Sequence, residues 1–228
     1  ICFVSDASHE LKTPLASIRL LTDSLLQADH MDGETAREFL NDIGDEADRL
    51  TRITEKLLTL TRLDTAPAAE DVPVDVGAVV ERVEHMLSPL ARAVEVSLEL
   101  KLQPGCVVLA TEDDLYQIAF NLMENAVKYN LPGGRVLVTL TADGGRVVLR
   151  VEDTGVGIPE ADLPKIFDRF YRVDKARSRA AGGTGLGLSI VRDTVLQHGG
   201  AVTARRREPE GTCFEVSFAQ WNGEEVGR

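Results

Sequence analysis

Cysteine is scarce. Cys2, Cys106 and Cys213 are odd in number and widely spaced, which excludes a disulfide framework and a cysteine-built zinc site and fits a reducing compartment. No apolar run approaches the ~18 residues that a membrane span needs, and no stretch reads as a signal peptide. Positive charge is in deficit: 25 Lys and Arg stand against 37 Asp and Glu, a net charge of −12. Nucleic acid is therefore not an expected partner, because binding it takes a basic footprint. Internal repeats and low-complexity tracts are missing. So are two common phosphate-loop signatures, a glycine loop ending in Gly-Lys-Ser/Thr and Gly-x-Gly-x-x-Gly after a first strand. An initiator methionine is missing as well, since the chain opens at Ile1 inside a helical pattern. The expectation is a cytoplasmic piece of a longer protein, touching a membrane only through an upstream segment that carries any anchor or sensor.

What is there is an ordinary globular composition, 43% hydrophobic and 27% charged over 228 residues. That length fits two small domains. Val4, Leu11, Leu15, Ile18 and Leu25 recur at helical spacing, and Phe39, Ile43, Leu50, Ile53, Leu57 and Leu60 do the same. A short break over 29–33 joins the two patterns, so an antiparallel helical hairpin is predicted over 1–65. One hairpin has too little core to bury both stripes. Two hairpins paired into a four-helix bundle bury them, which predicts a homodimer; the rival is a monomeric hairpin packed on the second domain. Residues 66–71 are small, polar and proline-containing and read as a linker.

From 72 to 220 the pattern alternates. A strand over 72–74 precedes a helix over 76–87. Strands over 94–100 and 106–109 flank a Pro104-Gly105 turn, and a helix follows over 112–129. Next come a hairpin of 136–141 and 147–151, a short helix near 163–167 and a helix over 186–198. A hairpin of 202–205 and 214–218 closes the domain. This predicts an α/β sandwich, a sheet covered by helices on one side. Residues 221–228 read as a frayed tail, already loosening from Gln220.

His9, one of four histidines, lies off the apolar face of the first helix. Glu10 puts a carboxylate beside the imidazole, and Thr13 stacks over His9 one turn along. Pro14 has no N–H for the carbonyl of Glu10, so the helix is predicted to bend just after His9. Phe3, Asp6 and Ser8 through Leu15 resemble the phosphoacceptor box of sensor histidine kinases of two-component systems.

Four signals follow in the second domain. Asn121 and Asn125 lie one turn apart on one helix face, with Lys128 and Tyr129 beside them. An amide oxygen there suits Mg²⁺, and Lys128 suits phosphate. Asp153-Thr154-Gly155-Val156-Gly157 follows a strand; its carboxylate can accept the exocyclic amine of adenine, and its glycines let the base approach the backbone. Phe167 through Arg172 is an aromatic and basic cluster leading into Lys175, Arg177 and Arg179, suited to a cover over a triphosphate. Gly182 through Leu188 opens a helix, where backbone N–H groups bind anions.

In this order the four segments resemble the N, G1, F and G2 boxes of the Bergerat (GHKL-type) ATPase fold, shared by histidine kinases, gyrase B subunits, Hsp90 and MutL proteins. The resemblance spans 3–218. It implies ATP with Mg²⁺, Asn125 ligating the metal and Asn121 assisting. It implies phosphate contacts from Lys128 and Arg172, and packing of Tyr129 and Tyr171 near base and ribose. Asp153, with Gly155 and Gly157, would read adenine. Gly183, Thr184, Gly185, Leu186, Gly187 and Leu188 would hold the triphosphate and hinge a lid, with Gly211-Thr212 behind the pocket.

The reaction implied is autophosphorylation of His9, then transfer to an aspartate of a response-regulator receiver. Glu10 would accept Nδ1–H and leave Nε2 free to attack. Thr13 is linked in the family to dephosphorylation of the regulator, against the plainer reading that its hydroxyl bonds to a backbone carbonyl. Two rival functions stand beside this one: a Bergerat-fold ATPase clamp, which would release only free phosphate, and a dimeric signalling scaffold with a silent ATP site.

Overall fold

The computed structural model describes residues 2–28, 32–65, 70–174 and 183–223, with side chains over 7–28, 32–63, 70–174 and 183–223. The expected basic cover at Lys175, Arg177 and Arg179, Gly182, and most of the linker lie outside them. Two long helices come first, α1 (Cys2–Gln27) and α2 (Gly33–Thr65), packed along each other as a hairpin. Asp32 starts α2. Its Oδ1 accepts from the N–H groups of Glu34 and Thr35 at 3.0 and 2.8 Å, satisfying donors that every helix start leaves free. Helix α1 continues through Pro14, which is buried. Leu15, Leu20, Leu26, Leu40 and Leu58 stay exposed on the hairpin. Among the described residues no helix is long and apolar enough to cross a membrane.

The rest is the α/β sandwich. Its elements are β1 (Val72–Asp75), α3 (Val76–Ala93), β2 (Ser97–Leu102), β3 (Val107–Ala110), α4 (Glu112–Lys128), β4 (Arg135–Asp143), β5 (Arg146–Asp153), a 3-10 turn (Leu163–Lys165), α5 (Gly187–Gln197), β6 (Ala201–Arg206) and β7 (Thr212–Ala219). The main sheet runs β2-β4-β5-β7-β6, with β2 parallel to β4 and the other neighbours antiparallel. A separate antiparallel pair joins β1 to β3. Helices α3, α4 and α5 bury Val79, Val83, Ile118, Leu122, Val191 and Val195 against Val138, Val151 and Val216 of the sheet. Thr111 caps α4 by accepting from Asp114 N–H at 3.1 Å.

Three details differ from the sequence expectations. Helix α3 does not stop near 87 but runs past Pro89, because Leu90 and Ala91 continue the apolar stripe of Val83 and Leu87. The strands flanking Pro104-Gly105 enter different sheets. The first begins only at Ser97, since Glu95, at a φ of 57°, turns the chain out of α3. The ordered chain also extends past the last strand: Gln220 and Trp221 donate backbone N–H groups to Gly145 and Val107 carbonyls, each at 2.8 Å. Cys106 and Cys213 are free and buried, and burial pushes both thiols up.

One buried histidine ties the sandwich to the chain that enters it. His198 follows the last turn of α5, a helix end that favours a cation. Its side chain is 2% exposed. Nε2 lies 3.0 Å from Asp114 Oδ2, and Nδ1 lies 3.0 Å from Asp71 Oδ1 in a close but poorly aligned ion contact. The Asp114 hydrogen bond, then Asp71, raises the imidazole above its ordinary value against the opposing effect of burial. His198 in turn is the main cause holding the Asp114 carboxyl below its usual range. A raised histidine stabilises the fold fully below its unfolded value near 6.5 and ceases to do so as pH rises through the folded value. Lowered Asp114 contributes above its unfolded value of 3.8 and loses that contribution as pH falls through its folded value. His198→Gln should therefore cost about 1–2 kcal/mol, a few degrees in Tm, near pH 6. The cost should shrink as pH is raised, as read by thermal melts of both chains across pH.

Candidate nucleotide and phosphoacceptor site

A cavity of about 340 Å³ opens between α4, the Asp153–Pro159 loop, the Tyr171–Asp174 segment and the start of α5. Asp153 forms its floor. Along β5 the side chains alternate, so Asp153 falls in phase with buried Val147, Leu149 and Val151 and faces the helices. Its Oδ1 accepts from Gly155 and Thr212 N–H groups at 2.8 and 3.2 Å. Asp153 lines the cavity, and its Oδ2 has no hydrogen bond among the described residues. Burial pushes this carboxyl up, against the two N–H bonds that pull it down. The glycines around it are forced. A Cβ on Gly155 would overlap the Tyr129 carbonyl oxygen, and one on Gly211 would overlap the Asp153 carbonyl oxygen. Gly211 also holds a φ of 109°, open only to glycine.

The other end is polar. Asn125 and Lys128 of α4 line it, with Tyr129 just past the helix end and Gly183, Thr184, Gly185, Gly187 and Leu188. Lys128 Nζ lies 2.9 Å from Glu124. Asn121 does not line the cavity: it is buried, and its amide donates to the Gln117 carbonyl at 2.9 Å. Its Oδ1 sits behind Gly187, where a Cβ would come within 2.9 Å. Leu186 turns away too and packs, fully buried, with Ile190 against Leu60 of α2. Tyr171 lines the cavity while its hydroxyl donates to Asp162 at 2.6 Å. Phe170 takes a φ of 65°, costly for an aromatic residue. Its N–H donates to the Gly185 carbonyl at 2.8 Å, so the aromatic-basic segment and the glycine loop are clasped together.

His9 is exposed on α1 and does not line the cavity. The neighbouring Glu10 connects the two. Arg172, which lines the cavity, donates from Nη2 to Glu10 at 2.7 Å and to the Thr184 carbonyl at 2.9 Å. Arg49 of α2 lies 3.6 Å from the same carboxylate and 3.5 Å from Glu46. Thr13 Oγ1 donates to the His9 carbonyl at 3.3 Å. Sequence reasoning missed Arg49, Glu124 and Lys56, which all reach this region. Glu124 carried a signal, an acid four residues before Lys128 on one helix face.

Residues 110–221 match the Histidine kinase-, DNA gyrase B-, and HSP90-like ATPase family, and residues 3–66 match the His Kinase A (phospho-acceptor) domain. The sensor-like histidine kinase SenX3 of Mycolicibacterium smegmatis is 36% identical over 220 residues, covering 96% of this chain and 57% of its own. The chain belongs to the sensor histidine kinase family. It spans about half the length of the curated relatives it matches. The probable sensor histidine kinase TcrY of Mycobacterium tuberculosis is 41% identical over 218 residues, covering 94% of this chain and 44% of its own. Among solved structures, full-length ShkA in complex with AMPPNP is 31% identical with a TM-score of 0.70, covering 95% of this chain and 45% of that one.

In this member of the family the floor of the cavity admits no side chain behind Asp153. Gly211→Ala should destabilise the sandwich by more than about 2 kcal/mol and weaken adenosine binding. Gly44→Ala, on the helical backbone of α2 with nothing within 4 Å of the added methyl, should do neither. Denaturant melts and ligand titration of both variants check this.

Proposed function

We propose that this chain transfers the terminal phosphoryl group of ATP to His9, and that the group then passes to an aspartate of a response-regulator receiver domain. The observation that carries this reading is the Arg172 bridge, which ties the cavity wall to the carboxylate next to His9. A clamp ATPase has no use for that connection. We further propose residues 1–65 as a dimerisation and phosphoacceptor unit and 72–220 as a catalytic unit, joined over 66–71. The exposed leucines of the hairpin support a homodimer, since a second copy would cover them. ThkA, a solved histidine kinase of 20% identity and a TM-score of 0.80, was captured with a response regulator protein, TrrA, and ShkA with AMPPNP. Both complexes support the substrate and partner proposed here.

ATP is read as substrate. Asp153 Oδ2 accepts the adenine amine, and Gly157 lets the base lie against backbone. Lys128 and the N–H groups opening α5 take the phosphates. Bound Mg²⁺ would neutralise phosphate charge, with Asn125 the amide oxygen in the cavity that can hold it and Asn121 behind it.

In the step itself, the Nε2 lone pair of His9 forms the N–P bond while the bond from γ-phosphorus to the bridging oxygen breaks and ADP leaves. The Nδ1 proton stays on the ring, and a carboxylate facing it stabilises the imidazolium. Glu10 is the carboxylate for that role. In the arrangement described it is held by Arg172 and Arg49 instead, so transfer requires Glu10 to exchange partners. Thr13 supports a second activity, hydrolysis of the regulator's phosphoaspartate. Its hydroxyl is one turn from His9 and exposed, and donation to the His9 carbonyl leaves its lone pairs free to orient water.

With labelled Mg-ATP, His9→Gln should bind nucleotide as the parent does and take up no label. Asn125→Ala should bind Mg-ATP at least about tenfold more weakly and not label itself. The parent's label should be acid-labile and alkali-stable. Labelling of His9→Gln at the parental level would put the acceptor elsewhere.

A further inference from the structure

The cavity has one wall that does not belong to the sandwich. Lys56 of α2 lines it. Its Nζ would stand 3.8 Å from a Cβ on Gly187, the residue that opens α5. This is the end of the cavity where helix N–H groups point and where phosphate, not base, is expected. Lys56 is half-buried and has no ion pair among the described residues. Glu124, the acid that acts on Lys56, is already paired with Lys128 at 2.9 Å. Burial pushes the Lys56 ammonium below its ordinary value; Glu124 pulls it back up, and Lys128 and Arg52 push it further down. A desolvated cation without its own counter-ion is unfavourable unless an anion completes the site.

Its position on α2 is not that of a solvated lysine either. Arg49, Ile53, Lys56 and Leu60 follow one another at fours and threes, so they share one face. That face is docked: Arg49, Ile53 and Leu60 are all buried, and Leu60 packs on Leu186 and Ile190.

We infer that Lys56 is a phosphate ligand of the bound nucleotide, supplied by the helical hairpin to a site otherwise built by the sandwich. This rests on the reading of the cavity as an ATP site and adds to it. The triphosphate then touches both domains at once, and nucleotide binding favours the docked arrangement through the difference in affinity between docked and undocked forms.

The test measures ATP, ADP and adenosine affinities of the whole 228-residue chain, for the parent, Lys56→Gln and Lys56→Arg. Lys56→Gln should lose about tenfold or more for ATP, as for removal of one charge-assisted contact, less for ADP and less than about twofold for adenosine. Lys56→Arg, which keeps the charge, should hold ATP more tightly than Lys56→Gln does. Unchanged ATP affinity in Lys56→Gln overturns the inference. So does an equal loss for ATP and adenosine, which would make Lys56 a residue of shape. So does Lys56→Arg falling as far as Lys56→Gln. A parent that binds adenosine and ATP equally, or neither, overturns the ATP reading itself and this inference with it.

Discussion

The arrangement of the two halves depends on one carboxylate surrounded by guanidinium groups. Glu10 is 27% exposed, while Arg172 and Arg49 are 4% and 5% exposed. Two arginines have left water to reach it, one from each half of the chain. Desolvating such groups costs several kcal/mol each, and their mutual attraction offsets this only with good geometry. Here the geometry is 2.7 Å for Arg172 and 3.6 Å for Arg49. Glu46 and the Thr184 carbonyl share the remaining load. Removing one member of so buried a set costs roughly 3–5 kcal/mol, because the others stay buried without it. The pair is thus more of a latch than a source of stability.

Everything else at the junction serves that latch. The strained turn at Phe170 is held by the Gly185 carbonyl, so the loop bearing Arg172 and the loop bearing Thr184 move as one. A methyl group on Gly185 would come within 2.8–3.0 Å of the Phe170 backbone, which explains the glycine. Behind the loops, Leu186 and Ile190 sit on Leu60 of α2. The hydrophobic contact gives adhesion without direction, and the ion pair sets register. At the opposite edge of the sandwich, His198 fixes the incoming chain at Asp71 onto the first turn of α4, the helix that carries Asn125 and Lys128.

Much of this was legible in the sequence, and what was legible was local. The two long helices announced themselves by spacing. The Asp153 loop, the asparagine helix and the glycine loop each carry their chemistry within about ten contiguous residues. Pairing was harder. Nothing in the residues around Pro104-Gly105 says that the flanking strands join different sheets, because their partners lie at 72–75 and 135–140. Pro89 hid the length of α3, since proline usually ends a helix. Asn121 and Leu186 sit in the right motifs but behind the cavity wall, a distinction that only packing makes. Lys56 and Arg49 gave a faint signal: each places a cation on the stripe of Ile53 and Leu60, where an apolar residue is expected. His198 gave none, because its meaning comes from Asp71 and Asp114, far away in sequence.

The central claim is that the Arg172–Glu10 contact holds the nucleotide module against the helix bearing His9. Pulsed spin-label distance measurement tests it most directly. Cys2→Ser leaves only the buried Cys106 and Cys213, and new labels go on exposed Leu20 of α1 and exposed Met86 of α3. Dilution with unlabelled chain leaves only distances within one molecule. Without nucleotide, the account predicts one narrow distance in the parent and a longer, broader distribution in Arg172→Gln. Superimposable distributions would contradict it.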